Sequence, residues 1–410
     1  MGRGFESLRA HQNNKVKCLE VIRVTDYDVV IFGGGILGVA CAIGLAHNGV
    51  SVLLVEKKEE ILLNNDDRVF AVSQRSKKIL EELSGWSSDH ENAPIEHIMI
   101  YDEDGPAQVH YDHALVGPEP MGYVVKASEL ARVLQKNVSF EVNCKKECID
   151  LIFRNDGVEL TLSGGKKIRT YIVICADGKN SSLRKKIVVK ELTHDFKQSC
   201  LVCNVEHEKN HNNTAIEHFY KTGPFAMLPM QGGKKTSIVW TENTKTAKVL
   251  EKLSRSEFTM ALQKKCGYHL GQIELKSDVA CFPISLMLSS KQVVRNVIFL
   301  GDAAHSIHPI AGQGLNLGIR DVSAVIEIIK KYKETGSDLG RTFILKEIEE
   351  RRALDNTSMA MITSFMNNVF SSDLLILKLT RRIAMAAVEM SPTIKRKLIA
   401  HAMGLGEICK

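Results

Sequence analysis

The chain has 410 residues, enough for two closely packed domains rather than one small core. Hydrophobic residues make up 44% and charged residues 25%, the balance of a globular protein and not of a disordered or fibrous one. Lys plus Arg exceed Asp plus Glu by six (54 against 48), a mild excess that suits contact with acidic lipid; no basic, aromatic-laced stripe points to nucleic acid.

Residues 1–24 are polar and basic, with no apolar core of the signal-peptide kind. They read as a disordered or spurious extension, a poor transit peptide or the product of a mis-set start. Residues 28–55 are mostly apolar, but six glycines and His47-Asn48 interrupt them, which argues against a membrane span. The better reading is a buried strand over 28–32, a glycine-rich turn, a small-residue helix over 39–48 closed by Gly49, and a second strand over 50–55 ending at Glu56. Gly33, Gly35 and Gly38 satisfy G-x-G-x-x-G: the first allows a tight turn, the second lets the backbone approach a pyrophosphate, and the third lets helix and strand pack closely. The helix N-terminus offers free N–H groups to phosphates. Glu56, 18 residues past Gly38, stands near the spacing of an acid that binds ribose hydroxyls. The motif indicates a dinucleotide without choosing between FAD and NAD.

A second apolar strand over 172–175 ends in Ala176-Asp177-Gly178, followed by Ser181 and Arg184. The carboxyl end of a parallel strand is where ligands bind in such sheets. Cys200 and Cys203 form the C-x-x-C pair among ten cysteines, and no partner pair stands at zinc-finger spacing; they read as reduced thiols. A third strand over 297–300 runs into Gly301-Asp302-Ala303-Ala304-His305, then His308-Pro309, Gly312, Gly314, Leu315, Asn316 and Asp321, with a helix from about 315 to 331. Asp302 at a strand end can bond ribityl hydroxyls. The glycines allow main chain to touch an isoalloxazine ring, and the helix N-terminus favours the negative charge that gathers on flavin N1 and O2 upon reduction. Near the C-terminus, Leu374, Leu375, Ile376, Leu377 and Leu379 stand beside Arg381-Arg382, with Lys395-Arg396-Lys397 further on. Such a helix lies on a membrane, packs on a partner, or is an ordinary solvated helix over a core.

With these motifs the chain resembles the single-component flavoprotein aromatic hydroxylases, and within them the ubiquinone-biosynthesis hydroxylases, from residue 27 to about 406. The resemblance also rests on Asp67-Arg68 with Ala71 and Ser73, on Gly122-Tyr123-Val124-Val125, and on Phe196 with Gln198. The segment from Gly223 to Pro229, Val239-Trp240, Phe282-Pro283, Arg351-Arg352, Asp355-Asn356 and Ala402-Met403-Gly404 match as well. Ile36 and Ser364 depart from it, where relatives often carry Pro and Asp.

The resemblance implies an α/β fold: a glutathione-reductase-like Rossmann FAD domain with an inserted β-sheet substrate domain and C-terminal helices. Residues 25–88, 123–186 and 286–345 would form the FAD-binding domain, 89–122 and 187–285 the substrate domain, and 346–410 the helical region. It implies FAD as cofactor, NAD(P)H as a transient co-substrate without its own Rossmann unit (a ferredoxin-type donor is the alternative), and O2. The ring of a hydrophobic prenylated phenol would be hydroxylated through a flavin C4a-hydroperoxide. The bacterial cytoplasm, peripheral to the inner membrane, or the mitochondrial matrix would be the setting, in contact with a ubiquinone-biosynthesis complex.

Arg68 would contact the FAD phosphates or the approach to the ring. Asp177 would stand near the FAD and the passing nicotinamide. The Pro309 carbonyl would meet a substrate hydroxyl. Phe225, Leu228 and Pro229 would wall an apolar pocket. His305, with His308 beside it, is the candidate general base. Each has a plainer counterpart: a surface ion pair, a turn cap, a turn proline, core packing, a structural histidine. Two other readings remain open: another FAD monooxygenase reaction on this scaffold, such as epoxidation, and a non-catalytic flavin-bound subunit of a biosynthetic assembly.

Overall fold

A computed structural model of the protein describes residues 25–62, 68–87, 91–102, 107–372 and 374–405. The extension over 1–24 and Asp67 lie outside the described residues. In chain order the elements begin with β1 (Tyr27–Phe32), α1 (Ile36–His47), β2 (Val52–Val55), β3 (Val69–Ser73), α2 (Gln74–Glu82), β4 (Asn92–Ile95), β5 (His97–Asp102), β6 (Gln108–Asp112), β7 (Gly122–Lys126) and α3 (Ala127–Lys136). Then come β8 (Glu141–Asn143), β9 (Cys148–Arg154), β10 (Gly157–Leu162), β11 (Lys167–Cys175), α4 (Ser182–Lys186), β12 (Glu191–His207), β13 (Thr214–Tyr220), β14 (Gly223–Met230) and β15 (Lys235–Asn243). The remainder is α5 (Thr244–Leu250), α6 (Arg255–Cys266), β16 (Ile273–Leu275), β17 (Ala280–Ser289), β18 (Val293–Val294), β19 (Val297–Phe299), β20 (His305–Ser306), α7 (Gln313–Glu334), α8 (Thr342–Phe370), α9 (Leu375–Met390) and α10 (Pro392–Ala402).

The apolar runs that announced strands are the parallel centre of one sheet. Its order is β18-β19-β11-β1-β2-β8, with β10 and β9 attached beside β11. β19, β11, β1, β2 and β8 run parallel. Val29, Val30, Ile31, Val173, Ile174 and Ile298 are fully buried, because helices cover one face and the β9–β10 ribbon the other. The expected Gly-rich turn and small-residue helix are therefore a βαβ unit, and α1 packs directly on α7.

A nine-stranded sheet, β20-β17-β12-β15-β14-β13-β5-β6 with β16 beside β12, forms the other half. Its faces follow from the period of two. Leu201, Cys203, Val205, Phe225, Met227, Ile238 and Trp240 face outward against α5 and α6. Ala215 and Leu228 face inward, toward β3 and β7. β12 spans 17 residues because a bulge between Asp195 and Gln198, with Lys197 at φ 57°, resets its pairing with β17. The same alternation separates Cys200 from Cys203.

Two boundaries differ from expectation. β4 belongs to a separate three-stranded sheet, β3-β7-β4, and not to the substrate sheet that β5 and β6 enter. β20, directly after the Gly301–Ala303 turn, pairs with β17 and so joins the third glycine motif to the substrate sheet's edge. These follow from pairing between distant segments, which no local pattern encodes.

A Cβ placed on Gly38 would stand 1.9 Å from the Gly33 carbonyl oxygen, a backbone atom that cannot yield cheaply. Gly38→Ala is expected to destabilise the protein by about 1–3 kcal/mol, read as a fall in the denaturant midpoint at unchanged slope; an unchanged midpoint would contradict the close crossing of α1 on β1.

Candidate cofactor cleft

The carboxyl ends of β1, β11 and β19 and the first turns of α1 and α7 surround a cleft of about 340 Å³. Gly34, Gly35, Glu56, Arg68, Ala176, Gly178, Asp302, Gly314 and Leu315 are among its walls. Gly33 has φ 112°, and a Cβ there would stand 2.3 Å from the Ala176 carbonyl oxygen, so only glycine fits the turn. At Gly35 and Gly314 a Cβ would meet nothing within 4 Å: here the missing side chain opens the approach to two helix N-termini. Leu37 ties the motifs together, since a Cβ on either Gly301 or Gly318 would lie 2.3 Å from its Cδ1.

Glu56 ends β2 and accepts the Gly34 N–H at 2.5 Å and the Lys58 N–H at 2.9 Å. Its position at the cleft wall suits ribose hydroxyls. Asp302 is open to the cleft yet sits deep in the protein; burial raises its carboxyl, opposed by His305, Lys179 and Arg68. It makes no hydrogen bond among the described residues and thus presents a free acceptor to any hydroxylated chain in the cleft. Arg68 lies between this cleft and a second one of about 280 Å³, where Val202, Asn204, Ala280 and Phe282 stand.

Several expected ligands also hold groups of the protein. Asn316 is buried: its Oδ1 accepts the Ser73 N–H at 2.8 Å, and its Nδ2 donates to the Ala71 and Gly312 carbonyls. It clamps β3 to the start of α7 and fixes Gly312, which takes φ 61° with Ala71 beside it. One Asp177 oxygen accepts the Ser182 N–H at 2.9 Å at the start of α4, which Ser181 caps; the other has no partner among the described residues, and the neighbours Ala176 and Gly178 face the cleft. The Pro309 carbonyl accepts the Gly312 N–H at 3.1 Å and closes the turn into α7.

His305 is buried, and its Nδ1 has no hydrogen-bond partner among the described residues. Its Nε2 lies 2.6 Å from Asp321 in a buried network that also receives Arg352 at 2.8 Å and Asn356 at 3.1 Å. Burial alone would raise the Asp321 carboxyl, but His305 and Arg352 hold it well below the usual range. His308 is buried with Nε2 3.2 Å from Gln198, and burial lowers it to about 4, so it stays neutral at physiological pH. The hydrogen bonds of these two histidines to Asp321 and Gln198 match the plainer counterpart, a structural histidine.

The pocket trio is also split. Phe225 and Pro229 point to the outer face of β14, and Phe225 is fully buried against Trp240 at a ring separation of 6.1 Å. Leu228 alone points inward. Two residues of one strand at odd spacing cannot line one pocket. Sequence reading passed over Lys58, Glu60 and Leu62, which wall the cleft from the loop after Glu56; their place after the terminal acid was the available signal.

A cleft with two helix N-termini, two carboxylates and glycines at its closest approaches accommodates two phosphates, ribose and a ribityl chain, the parts that FAD has. The fold and site therefore define an FAD-binding oxidoreductase. The sequence profile of the FAD binding domain family matches residues 26–352. The ubiquinone hydroxylase UbiL of Rhodospirillum rubrum is 34% identical, the match covering 92% of this chain and 89% of that protein. The 3-demethoxyubiquinol 3-hydroxylase of Escherichia coli is 29% identical over 92% of this chain and 98% of that one. The p-nitrophenol 4-monooxygenase PnpA of Pseudomonas putida DLL-E4 shares the fold, with a TM-score of 0.76, 17% identity, and coverage of 93% and 99%. The chain belongs to the FAD-binding-domain family and, within it, to the FAD-dependent hydroxylases of the ubiquinone-biosynthesis type.

Loss of a hydrogen bond to a charged group costs about 1.5–3 kcal/mol, so Asp302→Ala is expected to weaken FAD binding roughly 10- to 100-fold. The test is flavin absorbance retained after desalting; a full yellow spectrum in the variant would remove Asp302 from the cofactor site.

Proposed function

We propose that this enzyme hydroxylates the aromatic ring of a polyprenylated phenol in ubiquinone biosynthesis, using FAD, NAD(P)H and O2. The observation that carries the reading is a complete cofactor cleft in a chain that aligns over nine-tenths of its length with a ubiquinone hydroxylase. When bound, FAD accepts the hydride and activates oxygen for insertion into an electron-rich ring. The protein's part is placement. Gly35 and Gly314 would admit the cofactor to the helix ends, Asp302 would hold its hydroxylated chain, and Asn316 fixes the Gly312 turn at the start of α7. The inward side of the nine-stranded sheet, with Leu228 and Ala215 facing β3 and β7, would help exclude water from the reacting ring.

A prenyl tail explains the surface of the last helices. α9 reverses ordinary amphipathicity: Arg381 points inward, 5% exposed, and pairs with buried Asp102 at 2.8 Å. Ile376, Leu379, Ile383 and Met390 point outward, 51–84% exposed, and Met361 and Phe365 of α8 are similarly open. Lys378 stands on α9 as well, and residues 374–388 contain no acidic residue. This surface suits an anionic membrane from which a lipid substrate is taken, and on this reading the protein works at the cytoplasmic face of the bacterial inner membrane. No helix among the described residues is long and apolar enough to cross one.

Cells lacking the protein are expected to accumulate a prenylated phenol short of one hydroxyl, seen by mass spectrometry of their quinones; an unchanged ubiquinone pool and no such intermediate would refute the pathway. The holoenzyme is expected to sediment with vesicles containing phosphatidylglycerol and to lose most of that binding in Ile376→Glu/Ile383→Glu. Equal binding by variant and parent would sink the membrane surface, and a stable complex with another protein through these positions would replace it.

A further inference from the structure

The inward face of the nine-stranded sheet carries one acid that the account above does not use. β13 and β14 pair with Glu217 opposite Ala226 and Phe219 opposite Pro224, so Ala215, Glu217 and Phe219 share a face with Leu228. On the other side Glu217 stands opposite Ile100 of β5. At one end of this row Ala215 and Leu228 pack with Ala71, the residue touching the Gly312 turn. At the other end Phe219 stacks on Phe370 of α8, with ring centroids 4.0 Å apart. Glu217 thus lies one inward-facing position, about 7 Å, from the residues beside the Gly312 turn. Its neighbours across the strands and along them are small or apolar.

Glu217 makes no hydrogen bond and no ion pair among the described residues. The residue as a whole is half-buried. Its carboxyl is nonetheless enclosed, and burial by itself pushes it up to about 8. Across the sheet its row continues through Ala226 and Val239 to Val202 of β12, all on the same face. The other titratable groups on elements around it are engaged or lie further off. Asp102 of β5 is bound by Arg381 and Arg382 of α9, Tyr111 of β6 packs beside Ile98, and His308 meets Gln198. The inward residues of β14, Pro224, Ala226 and Leu228, do not titrate. A buried carboxyl with no partner is expensive unless a ligand supplies one.

We propose that Glu217 is the substrate-binding acid of this site: it accepts the hydrogen bond of the phenolic hydroxyl and takes its proton as the ring is attacked. The assignment rests on the phenol hydroxylase reading. The substrate O–H bond breaks, its electron pair stays on the ring oxygen and raises electron density at the ortho and para carbons, and the proton passes to a Glu217 oxygen. That proton goes to water when product leaves. No oxidant or reductant beyond O2 and NAD(P)H takes part. A carboxylate of unusually high basicity is better matched to a phenol than an exposed one. It must be ionised to accept, so function rises as pH climbs through its value.

The test uses the FAD-loaded enzyme with 2-geranylphenol and its methyl ether, which lacks the hydroxyl. Affinity is read from the change in bound-flavin absorbance between pH 6 and 9.5, and coupling from catechol formed per NADH consumed. Parent enzyme is expected to bind the phenol more tightly as pH rises through about 8, and to bind the ether with no such dependence. Glu217→Gln should lose that dependence and form catechol about 100-fold more slowly, while NADH oxidation continues with release of hydrogen peroxide. A variant with parental pH profile and coupling overturns the assignment and leaves the hydroxylase reading intact. If Glu217→Gln does not fold, the parent decides alone: equal affinity for phenol and ether at pH 9 overturns it. A parent enzyme that neither binds nor oxidises the phenol refutes the hydroxylase reading and the role of Glu217 together.

Discussion

One buried carboxylate holds the working parts in register. Asp321, fully buried on α7, accepts the Gly301 N–H, His305, Arg352 and Asn356. The four partners come from three pieces: the turn that presents Asp302, the strand that joins the substrate sheet, and α8, which supplies both Arg352 and Asn356. Asn356 also reaches Gln292, whose amide bonds the Phe299 carbonyl at the end of β19. Stripping water from an ion is costly, and the cost is met only when several donors converge, as they do here. Removing one of the charged partners would leave the other charge buried and uncompensated, a loss of about 3–5 kcal/mol.

From that node α8 extends to the substrate sheet. Its 29 residues span about 43 Å, from Arg352 at the cofactor half to Asn367 on Gln198 and Phe370 on Phe219. Gln198 in turn meets His308, the residue before Pro309. The helix therefore links the turn before α7 with the nine-stranded sheet. The tail then folds back: Arg381 and Arg382 neutralise Asp102 at the end of β5, and that contact turns the apolar side of α9 outward. Surface chemistry at the C-terminus is thus a consequence of an interior ion pair.

Much of the cofactor cleft was legible in the sequence. Gly33, Gly35, Gly38, Glu56, Asp302 and Gly314 act locally, through φ values, missing side chains and strand ends, and local rules suffice for these. Asn316, Asp177, Pro309 and His305 were legible as members of the motif loops, but their partners were not: Asn316 holds Ser73, one Asp177 oxygen accepts the Ser182 N–H, the Pro309 carbonyl accepts the Gly312 N–H and His305 Nε2 meets Asp321, while the other Asp177 oxygen and His305 Nδ1 have no partner among the described residues. Proximity to a motif does not say whether a side chain serves the ligand or the loop that holds it.

By itself, the sequence determined the three glycine motifs, the parallel strands feeding them and the FAD chemistry they serve, because each is encoded within some 30 contiguous residues. Tertiary structure alone decided that β4 leaves the substrate sheet, that Phe225 and Pro229 face away from Leu228, that α9 turns its arginines inward, and that Glu217 stands without a partner near the Gly312 turn. A strand's period of two defines two faces and not which of them meets the cofactor. That choice is made by pairings between residues more than a hundred positions apart, such as Glu217 with Ile100, and by the packing of α5 and α6 on the outer face.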